Sequence, residues 1–177
     1  MLRPRLISGQ LGKRHDKMIE FQVNGRAVQA AAPPTTPLLD VLRNALDLKG
    51  TRYGCGLEQC GTCLVLVDGV PAYACTRDIA TVAGRQVTTA EGLAEHPIYA
   101  ALLAEQAGQC GYCLSGIMVS AAALLAANRN PSRAEIAAAL DKNLCRCGTH
   151  TRILKAVERA AAVLREERAS GATRGEG

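Results

Sequence analysis

Eight cysteines carry most of the chemistry this sequence offers, and they fall into two sets of four. The first set is Cys55-x4-Cys60-x2-Cys63-x11-Cys75; the second is Cys110-x2-Cys113 with Cys145-x-Cys147 further along. Thiolates gathered in fours bind soft metals, and the C-x4-C-x2-C…C spacing suits a [2Fe-2S] cluster. Gly54, Gly56 and Gly61 flank the first set, where they permit positive φ and bring backbone N–H groups close to sulfur. Two ferric ions, two sulfides and four thiolates sum to about −2, so such a site needs hydrogen-bond donors and nearby cations. Arg52 and Arg77 are the sequence neighbours able to supply positive charge.

In the second set each pair immediately precedes a helical pattern, whose free N–H groups and macrodipole favour a polyanion. Zinc competes, because it also takes four thiolates and C-x2-C is one of its signatures, but the C-x4-C-x2-C run and the close C-x-C pair fit it poorly. A thiol–disulfide switch would place its C-x-x-C at a helix start in a βαβ setting that is missing here. Histidine ligation of the Rieske kind is not expected, since none of His15, His96 and His150 stands in place of a cysteine. Each histidine reads as a surface or capping residue.

The elements that must hold these cysteines change character halfway along the chain. Residues 18–23 alternate apolar and polar, Asn24-Gly25 reads as a type I′ turn, and 26–30 return as a second strand. Thr36 and Pro37 read as N-cap and first position of a short amphipathic helix through Leu46. After the cysteine loop come a strand at 64–67, a turn at Asp68-Gly69, a strand at 70–73 and a last strand at 85–88. From about Ala90 the period becomes 3.6, with helices predicted at 97–106, 114–127, from a Ser132/Glu135 capping box onward, and at 152–165. Short connections imply antiparallel neighbours, hence a four-helix bundle in which the two interhelix cysteine pairs share one end. The expected fold is α+β, divided into a flexible basic arm (1–17), a sheet domain (18–90), a helical domain (91–167) and a disordered tail (168–177).

Composition narrows the class further. With no Trp, one Phe and four Tyr, the cores must be built from small and aliphatic side chains, which suits two compact halves. No run approaches the roughly 20 apolar residues of a membrane span, and no apolar run follows the basic N-terminus as in a Sec leader. A cytoplasmic location follows as the expectation, with the periplasmic face reached only by co-export with a partner; there eight cysteines argue for metal rather than disulfides. The formal charge of +5 owes much to the N-terminal arm. No nucleic-acid motif accompanies it, so a nucleic-acid partner is not expected. No nucleophile–base pair or phosphate loop is present, and no catalytic residue is assigned.

The motifs Gly54-Cys55-Gly56, Gln59-Cys60-Gly61-Thr62-Cys63, Val67-Asp68-Gly69, Gln109-Cys110-Gly111-Tyr112-Cys113 and Asn143-Leu144-Cys145-Arg146-Cys147-Gly148-Thr149 resemble the iron-sulfur small subunit of the molybdenum hydroxylases, the xanthine dehydrogenase and aldehyde oxidase family. The resemblance runs from about Met18 to Leu164. It implies a β-grasp, ferredoxin-like N-terminal domain with an outer [2Fe-2S] cluster on Cys55, Cys60, Cys63 and Cys75. It also implies a helical domain with an inner cluster on Cys110, Cys113, Cys145 and Cys147, beside a molybdopterin cofactor held by a large catalytic subunit. Gln109 and Cys147 match family positions that reach that cofactor. Electrons would pass from molybdenum through the inner and then the outer cluster to a flavoprotein or a c-type cytochrome. Glu58 in place of a small residue, Leu114-Ser115 in place of Thr-Pro and His150 in place of Tyr depart from the commonest pattern, and they look most like the branch oxidising N-heteroaromatics such as isoquinoline or nicotinate, or aldehydes. The alternative class is a free-standing two-cluster ferredoxin, against which the basic charge and the second cluster both argue.

Overall fold

The computed structural model describes residues 5–7 and 17–172. Strands β2 (Lys17–Val23) and β3 (Arg26–Ala32) form the expected hairpin, and Asn24 and Gly25 turn it with φ of 50° and 75°. Ile19, Phe21 and Val23 alternate inward on β2, opposite the inward Val28, Ala30 and Ala32 of β3. A second hairpin, β4 (Leu64–Val67) and β5 (Val70–Tyr73), turns at Asp68-Gly69, and β6 (Gln86–Thr88) joins the two by pairing parallel to β2 and antiparallel to β4. The basic arm departs from expectation: Arg5–Ile7 is a strand, β1, parallel to β3. It takes up the N–H and C=O groups that β3 would otherwise leave bare at the sheet edge. The sheet order is β1-β3-β2-β6-β4-β5. The rest of the arm, including His15, and residues 173–177 lie outside the described residues.

The helix after Pro37 differs in two details. Pro37, not Thr36, is its N-cap, and no side chain caps it. Its first turn, α1 (Leu38–Asp40), widens into a π turn over Val41–Ala45, where the Leu46 N–H reaches back to the Val41 carbonyl at 3.0 Å. The wider turn leaves Leu38, Leu39, Val41 and Leu42 all buried against the sheet.

Four further helices follow: α2 (Pro97–Ala104), α3 (Leu114–Ala127), α4 (Arg133–Leu140) and α5 (His150–Ala172). His96 caps α2, its Nδ1 accepting from the Ile98 N–H at 3.1 Å, and the Ser132/Glu135 box opens α4. Helix α5 outruns the expected end near Arg165, so 168–172 are helix rather than disordered tail. The apolar period stops at Leu164, but Glu166, Glu167, Arg168 and Ala169 are good helix formers that continue it without a buried face. Ile98, Ile117, Leu125, Ile136, Ile153 and Val157 form the helical core, to which β4 adds Leu64, while Val65 and Val67 of the same strand face the sheet core. One strand thereby serves both cores and holds the two halves of this α+β chain together.

Candidate metal centres

Hairpin β4–β5 brings Cys63 and Cys75 together. Cys63 precedes β4, Cys75 lies just beyond β5, Leu64 pairs with Tyr73, and the Ala74 N–H reaches the Cys63 carbonyl at 3.2 Å. Their thiols stand against each other. Cys55 and Cys60 form a second pair in the loop ahead of β4. That loop curls through left-handed Gly56, Glu58 and Gly61, and the curl aims peptide N–H groups at sulfur. Leu57 and Gln59 each donate to Cys55 Sγ at 3.3 Å, and the Cys55 N–H donates to Cys60 Sγ at 3.3 Å. Glu58, at φ 59°, accepts from the Thr76 hydroxyl and so ties the loop to the residue after Cys75.

The second set comes from the α2–α3 and α4–α5 connections. Helix α2 ends in a Schellman motif: Gln106, at φ 48°, donates to Leu103 and Ala107 donates to Leu102. The chain then turns back toward Cys110. Cys147 Sγ lies 3.7 Å from Cys110 Sγ, and the Cys113 and Cys145 thiols stand against each other. The pairs therefore interleave between the two connections. Thr149, at the start of α5, places its hydroxyl 3.7 Å from Cys145 Sγ, and the Tyr112 N–H donates to Cys110.

Electrostatics differ within each set in the same way. Hydrogen bonds from Leu57 and Gln59 draw the Cys55 thiol down to about 7, whereas burial beside Cys75 pushes Cys63 up to about 12. In the helical half the Tyr112 N–H draws Cys110 down, and burial beside Cys145 pushes Cys113 up to about 12. Burial opposes ionisation of Cys145, but its bonds from Thr149 and the Cys147 peptide outweigh that and leave it lowered. None of the eight cysteines is in a disulfide. Among the described residues no three His, Cys, Asp or Glu gather around the point a single ion would occupy; the thiols stand as two pairs per set. Two thiolates on each of two irons is the ligand demand of a [2Fe-2S] cluster, and peptide N–H groups on sulfur suit its negative charge. The donor sets fit that group.

The two cysteine loops also touch each other. The Leu144 N–H donates to the Cys60 carbonyl at 3.0 Å, and the Ser115 hydroxyl donates to the Thr62 carbonyl at 3.4 Å. The space a Cβ on Gly61 would need is filled by the buried Asn143 side-chain amide and the Lys142 carbonyl. Arg52 does not turn to its own loop: its Nη1 donates to the Gly111 carbonyl at 2.6 Å. Arg77 keeps a buried Nε without a hydrogen-bond partner among the described residues, two residues beyond Cys75. Gln109 is exposed, backbone N–H groups meet the Ala101, Leu102 and Leu103 carbonyls at the end of α2, and among the described residues no hydrogen bond joins Gln109 to that helix. Cys147 is half-buried. The sequence places Ser115, Asn143 and Thr149 in motifs without giving them a role, and it does not single out Gly116. Their only signal there is proximity to cysteines, because their partners are distant along the chain.

Two family profiles match the chain in succession: a "2Fe-2S iron-sulfur cluster binding domain" over residues 21–94 and a "[2Fe-2S] binding domain" over 89–158. A nicotinate dehydrogenase subunit of Pseudomonas putida is 51% identical over 152 residues, covering 84% of this chain and 97% of its own. The alpha chain of isoquinoline 1-oxidoreductase of Brevundimonas diminuta is 49% identical over 148 residues, covering 81% and 97%. Among solved structures, a chain of quinoline 2-oxidoreductase from Pseudomonas putida 86 superposes with a TM-score of 0.83 at 31% identity, covering 86% of this chain and 98% of that one.

Proposed function

We infer the role of this chain from its family: it belongs to the small iron-sulfur subunits of the molybdenum hydroxylases, and it is the electron-transfer component of an oxidoreductase complex. Its two [2Fe-2S] clusters supply the one-electron carriers that link a large catalytic subunit to an acceptor. We propose that Cys55, Cys60, Cys63 and Cys75 hold the outer cluster and Cys110, Cys113, Cys145 and Cys147 the inner one. The observation that carries this reading is the pairing of the eight thiols, two pairs in each set, with the two loops joined by the Cys60–Leu144 hydrogen bond. The fold is read further as a β-grasp domain over 18–90 and a four-helix bundle over 91–167, supported by the parallel β2–β6 pairing and by the core the helices share.

The helical half is the proposed docking face for the molybdopterin subunit. Tyr112 and Leu144, large apolar side chains 50% and 63% exposed, stand beside its cysteines. Gln109 lies next to them with no hydrogen-bond partner among the described residues, so its amide is free to read the edge of the pterin, and Cys147 would approach the same cofactor. Electrons then travel inward-to-outward to a flavoprotein or a c-type cytochrome. The substrate is proposed to be an N-heteroaromatic, because the relatives are named for nicotinate, isoquinoline and quinoline. The site of action is proposed to be cytoplasmic. No described helix is long and apolar enough to cross a membrane.

Two measurements on the purified complex test this. Anaerobic addition of N-heteroaromatic acids and rings should bleach the visible iron-sulfur absorption within one turnover, with aldehydes giving slow or no bleaching; bleaching by aldehydes alone overturns the substrate class. Gln109→Ala should leave iron content and thermal midpoint unchanged while slowing first reduction of the inner cluster. Loss of one buried hydrogen bond costs about 1 to 3 kcal/mol, which corresponds to roughly 5- to 150-fold in rate. An unchanged rate with unchanged molybdenum content makes Gln109 a surface residue.

A further inference from the structure

We propose that Arg52 and Tyr112 form a clasp between the two cluster loops, in which a single guanidinium serves as a shared positioning residue and a shared counter-charge for both centres. This rests on the ligand assignment proposed above. Arg52 and Tyr53 immediately precede the loop of Cys55, and Gly111 and Tyr112 are the two residues enclosed by Cys110 and Cys113. The contacts between them are reciprocal. Arg52 Nη1 donates to the Gly111 carbonyl at 2.6 Å, and the Tyr112 hydroxyl donates to the Tyr53 carbonyl at 2.5 Å. The guanidinium carbon also sits 5.2 Å from the centroid of the Tyr112 ring, within cation–π range.

Tyr112 is therefore tied at both ends. Its peptide N–H donates to the Cys110 sulfur, and its hydroxyl holds the backbone two residues before Cys55. Arg52 is half-buried, so its charge is less screened by solvent than that of a free surface arginine. Each oxidised cluster with its thiolates carries about −2, and an added electron deepens that charge. A cation fixed between the two loops stabilises the reduced form of both centres rather than one. Its effect on the energy difference between them is smaller than its effect on either alone, so the clasp eases electron entry without trapping the electron at one end.

Redox titration of the purified complex, monitored by electron paramagnetic resonance, tests this with iron content measured on the same samples. Arg52→Gln should lower the midpoint potentials of both clusters while iron stays at about four per chain. Arg52→Lys should bring both back toward the wild-type values, which a loss of packing alone would not do. A fall confined to one cluster, or no shift in either, overturns the shared role. If Arg52→Gln fails to load iron, Tyr112→Phe provides the reading: releasing the Tyr53 carbonyl should alter the line shapes of both resonance signals, and two unaltered signals overturn the clasp. Iron well below four per chain in the wild-type complex would instead count against the ligand assignment itself.

Discussion

Cys63→Ala should lower iron and acid-labile sulfide from about four each per chain to about two each, and remove one of two electron paramagnetic resonance signals of the reduced complex. Cys113→Ala should do the same to the other signal. These two positions are the most demanding in their sets. Cys63 is 1% exposed, and burial pushes its thiol up to about 12; Cys113 is pushed equally high by burial beside Cys145. At neutral pH neither ionises unaided, so each becomes a ligand only when iron displaces its proton. The easily ionised member of each set, Cys55 or Cys110, is the partner from which loading can begin. One consequence follows for the metal-free chain: loading releases protons and so weakens as pH falls, because a thiol that must ionise competes with solvent protons. Loss of both signals from Cys63→Ala in a protein of unchanged thermal midpoint would mean that the two cysteine sets do not load independently.

What the sequence made legible was the part governed by local rules. Helix α3 begins and ends where its period puts it, both hairpins turn on residues that tolerate positive φ, and the Ser132/Glu135 box opens α4. The cysteine spacing divided the sets because ligand loops are also local. Features that depend on distant partners stayed hidden. Sequence proximity assigns Arg52 to the outer loop beside it, but its guanidinium crosses to Gly111, a residue 59 positions away. The interleaving of Cys110 with Cys147 and Cys113 with Cys145 depends on how two interhelix connections face each other, and no periodicity encodes that. Strand β1 forms because β3 leaves an edge to fill, and three residues are too few to show alternation. The widened turn at Val41–Ala45 is a tertiary choice as well, made where four apolar residues in five must all face the sheet.

Gly116→Ala should lower the thermal midpoint, reversing the effect that helix propensity alone would give. Gly116 is the third residue of α3, and in an isolated helix the change from Gly to Ala gains about 1 kcal/mol. Here an added Cβ would lie 1.9 Å from the Gly61 carbonyl oxygen, 2.8 Å from its carbon and 3.1 Å from Thr62 Cα. These are backbone atoms, so no rotamer change relieves the clash. The loop carrying Cys60 and Cys63 must move, or α3 must. Movement is resisted on every side: Gly61 is held at φ +70° against Asn143 and Lys142, Leu144 bonds to Cys60, and Ser115 bonds to Thr62. Overpacking of this kind costs about 1 to 3 kcal/mol and exceeds the propensity gain when the neighbours are rigid. At about 2 to 4 °C per kcal/mol for a chain of this size, the midpoint should fall by several degrees. The same displacement lengthens the Cys60–Leu144 hydrogen bond, which joins a cysteine of one set to the residue next to a cysteine of the other, so transfer between the centres should slow even in protein that remains folded and fully loaded. Calorimetry and rapid-mixing reduction on one preparation separate the two effects. A midpoint that rises by the propensity gain, with transfer unchanged, would show that the loops slide apart freely and that Gly116 is only a weak point in a helix.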